Sequence, residues 1–99
     1  MKVRFHPLAE RELIAAALYL DTEAASGAEF LKSYETWEAQ VCEHPKSCPV
    51  IGLEVRKGIL LRFKYLIGYK IKGLGRSKHI RILYVRHFSQ KRDDRTTRK

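Results

Sequence analysis

The side chains best suited to chemistry lie in the second half of the chain. Arg62, Arg81 and His87 would supply what metal-free RNA cleavage needs: cations to hold a phosphorane, and an imidazole as acid or base near neutral pH. They are the catalytic candidates if the chain is a nuclease. A wider set, Arg56, Arg62, Lys64, Tyr65, Arg81, Arg86 and Arg92, is suited to holding an anionic partner or target. Each has an ordinary role to set beside this one. A lone histidine at a strand end commonly bonds to backbone, and arginines on a strand commonly face solvent or pair with acidic helices. Tyr65, Tyr69 and Tyr84 would stack on bases if exposed, but tyrosines more often pack under helices with the hydroxyl at the rim.

These residues share a charge field. Residues 1–55 carry five Lys/Arg and nine Asp/Glu, a net of −4. Residues 56–99 carry fifteen Lys/Arg and two Asp/Glu, a net of +13, with no acid between Glu54 and Asp93. One half is built for packing and the other to meet an anion, either nucleic acid or an acidic protein. The segment Cys42-Glu43-His44-Pro45-Lys46-Ser47-Cys48 holds three soft ligands but no second pair to complete four, so no metal site is expected. No cofactor motif is present; Gly73-Leu74-Gly75 is too short for a phosphate loop.

The elements that must position these residues follow from periodicity. Lys2-Val3-Arg4-Phe5 alternates as a short strand. Pro7 opens a helix predicted to run to about Asp21, with Ala9, Leu13, Ala16, Ala17 and Leu20 on one face. Ser26 and Glu29 form a capping-box signature before a second helix, whose Phe30, Tyr34, Trp37 and Val41 share a face and which His44-Pro45 ends. Val55–Leu61, Tyr65–Lys72 and His79–Phe88 read as strands, and Gly73–Ser77 as a loop between the last two. Strict alternation puts Ile80, Ile82, Tyr84 and Arg86 on one face of the last strand, and Arg81, Leu83, Val85 and His87 on the other.

The expected fold is α+β, in the order β-α-α-β-β-β, with a helical hairpin packed on an antiparallel sheet. The 99 residues make a single domain, with 91–99 a basic and flexible tail. No apolar run is long enough to span a membrane and the first residues lack a signal peptide's apolar stretch, so a cytoplasmic protein with reduced Cys42 and Cys48 and no membrane association is expected.

That order, with its basic meander, resembles the RelE/ParE superfamily of small bacterial toxins. Val3-Arg4-Phe5-His6-Pro7-Leu8-Ala9-Glu10-Arg11-Glu12-Leu13 resembles the family's opening strand and helix start. Ala28 and Phe30, in the stretch that ends at His44-Pro45, match its second helix. Arg56, nine residues before Tyr65-Leu66-Ile67-Gly68-Tyr69, resembles the ParE-like signature. Ile80-Arg81-Ile82-Leu83-Tyr84-Val85-Arg86-His87 resembles the last strand.

The resemblance implies the toxin of a type II toxin–antitoxin module of the plasmid-stabilisation type. A small acidic antitoxin would neutralise it, in a complex that can be of higher order. RelE-like members cut mRNA on the ribosome; ParE-like members inhibit DNA gyrase. Leu66 stands where the nucleases carry a key arginine, and no tyrosine follows Tyr84, so both departures favour the ParE-like, non-enzymatic branch. Lys64 stands where the family usually has proline, which is expected to alter the turn but not the fold. A RelE-like mRNA endoribonuclease with a rearranged site, and a plain basic nucleic-acid-binding domain, are the alternatives.

Overall fold

The structure, a computed structural model, describes residues 1–90 and 93–99. Strand β1 (Lys2–Phe5) leads into helix α1 (Pro7–Ala24), and helix α2 (Gly27–Glu43) follows at once. Four strands complete the chain: β2 (Val50–Gly52), β3 (Val55–Leu60), β4 (Tyr65–Lys72) and β5 (His79–His87), with a 3-10 turn at Gly75–Ser77 before β5.

Helix α1 starts where expected. The Leu8 amide donates to His6 Nδ1 (3.1 Å), so His6 caps the end that Pro7 opens. It runs three residues past Asp21, because nothing breaks it before Ala25 turns left-handed at φ 48°. The capping box at α2 does not form. Ser26 stands at the N-cap, but its hydroxyl donates back to the Leu20 carbonyl (3.4 Å) while Glu29 reaches out to Arg62.

The meander β3-β4-β5 is antiparallel, as expected, within a larger mixed sheet of order β1-β5-β4-β3-β2. The hairpin α1-α2 crosses one face and brings β1 parallel to the outer edge of β5. The short β2 pairs with the start of β3 only. Beneath the helices, Phe30, Tyr34, Trp37 and Val41 of α2 meet Leu60, Tyr65, Ile67, Tyr69, Ile80, Ile82 and Val85 of the sheet. Trp37 lies so close to Gly58 that a Cβ there would stand 2.4 Å from its ring, so glycine is what lets α2 settle onto β3.

One feature of β5 departs from strict alternation. Gly68 pairs with Tyr84 but Tyr69 pairs with Ile82, so Leu83 is an inserted bulge residue. Ile80, Ile82 and Val85 therefore face the helices, and Leu83 and Tyr84 both face away, where they pack with Val55. The bulge corrects the predicted faces: Arg81 and Arg86 lie on the same, outer side, and Val85 and His87 on the helix side. The turn before β4 needs Lys64 at φ 58° and its amide bonded to the Leu61 carbonyl (3.2 Å). Proline, fixed near φ −65° and without an N–H, would not fit this turn.

Candidate binding surfaces

The candidate residues fall into two places. At the turn end of the sheet, Leu60, Tyr65 and His87 form one cross-strand row. The Tyr65 ring packs on Phe30 (5.0 Å) and edge-on to His87 (5.1 Å), and Tyr65 is buried. Burial, and then neighbouring Tyr19, push its phenol above the ordinary range. The Ser89 amide donates to His87 Nδ1 (3.1 Å), and Ser89 Oγ lies 2.8 Å from the same nitrogen. Neutral His87 thus carries its proton on Nε2. A cleft of about 270 Å³ between Tyr19, Tyr65, His87 and Ser89 opens here. Arg62 projects from the adjoining turn, paired with Glu29 (2.5 Å), and Lys64 is exposed beside it.

Arg81 is elsewhere. It lies on the outer face, six residues along β5 from His87, or about 20 Å at the usual strand rise. Its Nη1 donates to the Phe5 carbonyl (2.8 Å) and its Nε and Nη2 to a Lys99 oxygen. Arg62, Arg81 and His87 therefore do not converge on one point.

Several of the other arginines bond to backbone carbonyls. Arg56 Nη1 donates to the carbonyls of Cys48 (2.7 Å) and Lys46 (3.2 Å), tying the segment after α2 to β3; beside it Tyr69 donates to the Pro45 carbonyl (2.7 Å). Arg86 is buried over the Tyr84 ring (4.3 Å) and donates to the Asp93 carbonyl (3.1 Å). Arg92 lies outside the described residues. Residues 93–99 run across the outer face: Asp94 pairs with Lys57 (3.2 Å), Thr96 is buried, and Arg98 pairs with Glu12 (2.7 Å).

Two further surfaces emerged from the fold. A trough follows α2 where β3 loses its neighbour. Its two hollows, about 290 and 370 Å³, share Ser33 and Thr36. Trp37, Ile59 and Leu61 line one end, with Ile59 and Leu61 exposed; Glu29, Lys32 and Arg62 line the other. On the outer face, register sets Lys2, His79 and Lys72 in one cross-strand row and Arg4, Arg81 and Lys70 in the next. Alternation within one strand cannot show these rows, which depend on which strands are neighbours.

That charge reaches His6. Burial first, then Arg98 and Arg81, lower its pKa below the ordinary 6.5. The unfolded chain takes up this proton near pH 6.5 and the folded chain only at lower pH. The associated stability is therefore present above 6.5 and is lost as pH falls through that value. Thermal melts at pH 7.5 and 5.5 should show a drop in acid that His6→Asn, which keeps a capping side chain, reduces; an equal drop in both proteins would rule out His6 as the cause.

Among the described residues, no group of three or more His, Cys, Asp or Glu gathers as metal ligands, and Cys42 and Cys48 are free thiols. Burial raises the Cys42 pKa. A hollow of about 590 Å³ between Met1, Pro45 and Ile71 is lined by none of the candidate residues. No helix among the described residues is long and apolar enough to cross a membrane.

No protein-family model matches the chain, and no curated protein matches it in sequence. A solved structure does. A chain described as the chromosomal ParDE TA system from P. aeruginosa superposes with a TM-score of 0.61 at 20% identity, over 88% of this chain and 95% of that one. The protein thus has the RelE/ParE-like fold, two helices on a mixed five-stranded sheet in the ParE-like order of elements.

Proposed function

We propose that this chain is the toxin of a type II toxin–antitoxin module, of the ParE-like kind, acting in the cytoplasm by binding DNA gyrase. The observation that carries this reading is the match in fold, over 88% of the chain, to a ParDE toxin–antitoxin structure. A binding rather than a cleaving role is supported by the separation of Arg81 from Arg62 and His87, and by Leu66 where a nuclease would need a cation. Leucine cannot stabilise a phosphorane.

The trough along α2 and β3 suits the antitoxin. Ile59 and Leu61 offer apolar anchors, and Lys32 and Arg62 offer charge to an acidic segment at the far end. Expressed alone, the protein should arrest growth, and purified toxin should inhibit gyrase supercoiling at micromolar concentration. Co-expression with the small acidic protein of a neighbouring reading frame should restore growth. Unimpaired supercoiling would exclude gyrase as target; absence of growth arrest would overturn the toxin reading itself.

A further inference from the structure

We propose that the outer face of β1, β5 and β4 binds the phosphate backbone of double-stranded nucleic acid, a site distinct from the antitoxin trough. Register places Lys2, His79 and Lys72 directly across one another, and Arg4, Arg81 and Lys70 likewise two residues along. Neighbouring strands are about 4.8 Å apart and the rows about 6.7 Å apart, so six basic side chains rise from a patch roughly 10 Å by 7 Å at the backbone. Arg76 and Lys78, both exposed, border it on the loop before β5.

Like charges directly opposite one another destabilise a sheet. Here no acidic side chain among the described residues pairs with them. The ion pairs among the described residues are Lys57–Asp94, Arg62–Glu29, Arg95–Asp93 and Arg98–Glu12, and none lies on this patch. Arg81 is held by the Phe5 carbonyl and an oxygen of Lys99, and His79 Nδ1 lies 2.8 Å from the Ser77 carbonyl; Lys2, Arg4, Lys70 and Lys72 have no such partner among the described residues. A phosphate is therefore left chiefly to Lys2, Arg4, Lys70 and Lys72, whose charges Arg81 and His79 reinforce from the same rows.

The chemistry of the patch selects the ligand. The two rows hold only Lys, Arg and His, so there is no aromatic platform on which an unpaired base would stack. They rise from the flat face of the sheet rather than from its open β1 edge. A flexible acidic peptide would gain charge contacts alone and lose its conformational freedom on docking. A duplex is already rigid and presents phosphates in fixed rows, so binding proceeds by counterion release without base readout.

Fluorescence anisotropy with a labelled 25-base-pair random duplex tests this on the full chain. With about four to five phosphates neutralised, affinity should fall roughly 100-fold or more between 50 and 200 mM salt, with DNA and RNA duplexes alike. The variant K2E/K70E/K72E should bind at least about 50-fold more weakly, because its three lysines are phosphate ligands. The charge-matched variant K32E/K46E/K64E, altered off the patch, should lose less than about 5-fold. Equal loss in both variants would mean net charge alone and would overturn the site. So would a polyglutamate peptide binding more tightly than the duplex, or no binding at 50 mM salt. Thermal melts establish that each variant is folded, and antitoxin binding, measured separately, keeps this outcome distinct from the toxin reading.

Discussion

Gly68→Ala is expected to cost about 3 kcal/mol, the upper end of the usual penalty for overpacking a core. A Cβ at this position would stand 2.0 Å from Cε2 of Tyr84 and 2.4 Å from its Cζ. The ring cannot yield cheaply. Tyr84 is fully buried, Arg86 lies over it at 4.3 Å, and Arg86 is itself bonded to the Asp93 carbonyl. Strain at one methyl group therefore reaches the bulge of β5 and the segment from Asp93 that Arg86 holds. Urea denaturation should show a lower midpoint with an unchanged slope. Tyr84→Leu should relieve the clash, so the double variant loses less than the sum of the single ones. Strict additivity in that cycle would show that the ring is not the obstacle.

Glu12→Ala should cost about 2–4 kcal/mol, because one carboxylate closes two parts of the structure. β1 ends at Phe5, and β5 continues past it with an open edge. There Glu12 Oε1 accepts the Val85 amide (3.2 Å), and Arg98, bound to both oxygens of Glu12, donates to the Leu83 carbonyl (2.9 Å). Two side chains thus take the place of a neighbouring strand. Both are mostly buried, with side-chain exposures of 17% for Arg98 and 24% for Glu12. Alanine would leave the Val85 amide and the Arg98 charge without Glu12, whereas Glu12→Gln keeps an acceptor and should cost about half as much. Hydrogen exchange should speed up at Val85 and across residues 93–99 in the alanine variant. Unchanged protection at Val85 would refute the edge-closing role.

The order of elements, except for the short β2 (Val50–Gly52), was legible in local sequence because it rests on short-range rules. Pro7 and His6 start α1, and the steps from Phe30 through Tyr34 and Trp37 to Val41 mark the buried face of α2. The capping box at Ser26 was misleading because Glu29 has a competing partner, Arg62, 33 residues away. The faces of β5 could not be read beyond Leu83. A bulge appears only when two strands are paired, and alternation within one strand cannot show which residue is left over.

The charge divides in the same way. The sequence by itself determined how much positive charge the second half carries and that no acid interrupts it between Glu54 and Asp93. Tertiary structure alone decided where that charge is available. It turned Arg56 and Arg86 toward backbone carbonyls and separated Arg81 from His87, while β1 beside β5 gathered Lys2, Arg4, Lys70 and Lys72 into rows. The physical reason is that charge is a property of composition. Whether a guanidinium satisfies its own fold or meets a partner depends on carbonyls and strands distant in sequence, which only the folded chain brings within hydrogen-bonding reach.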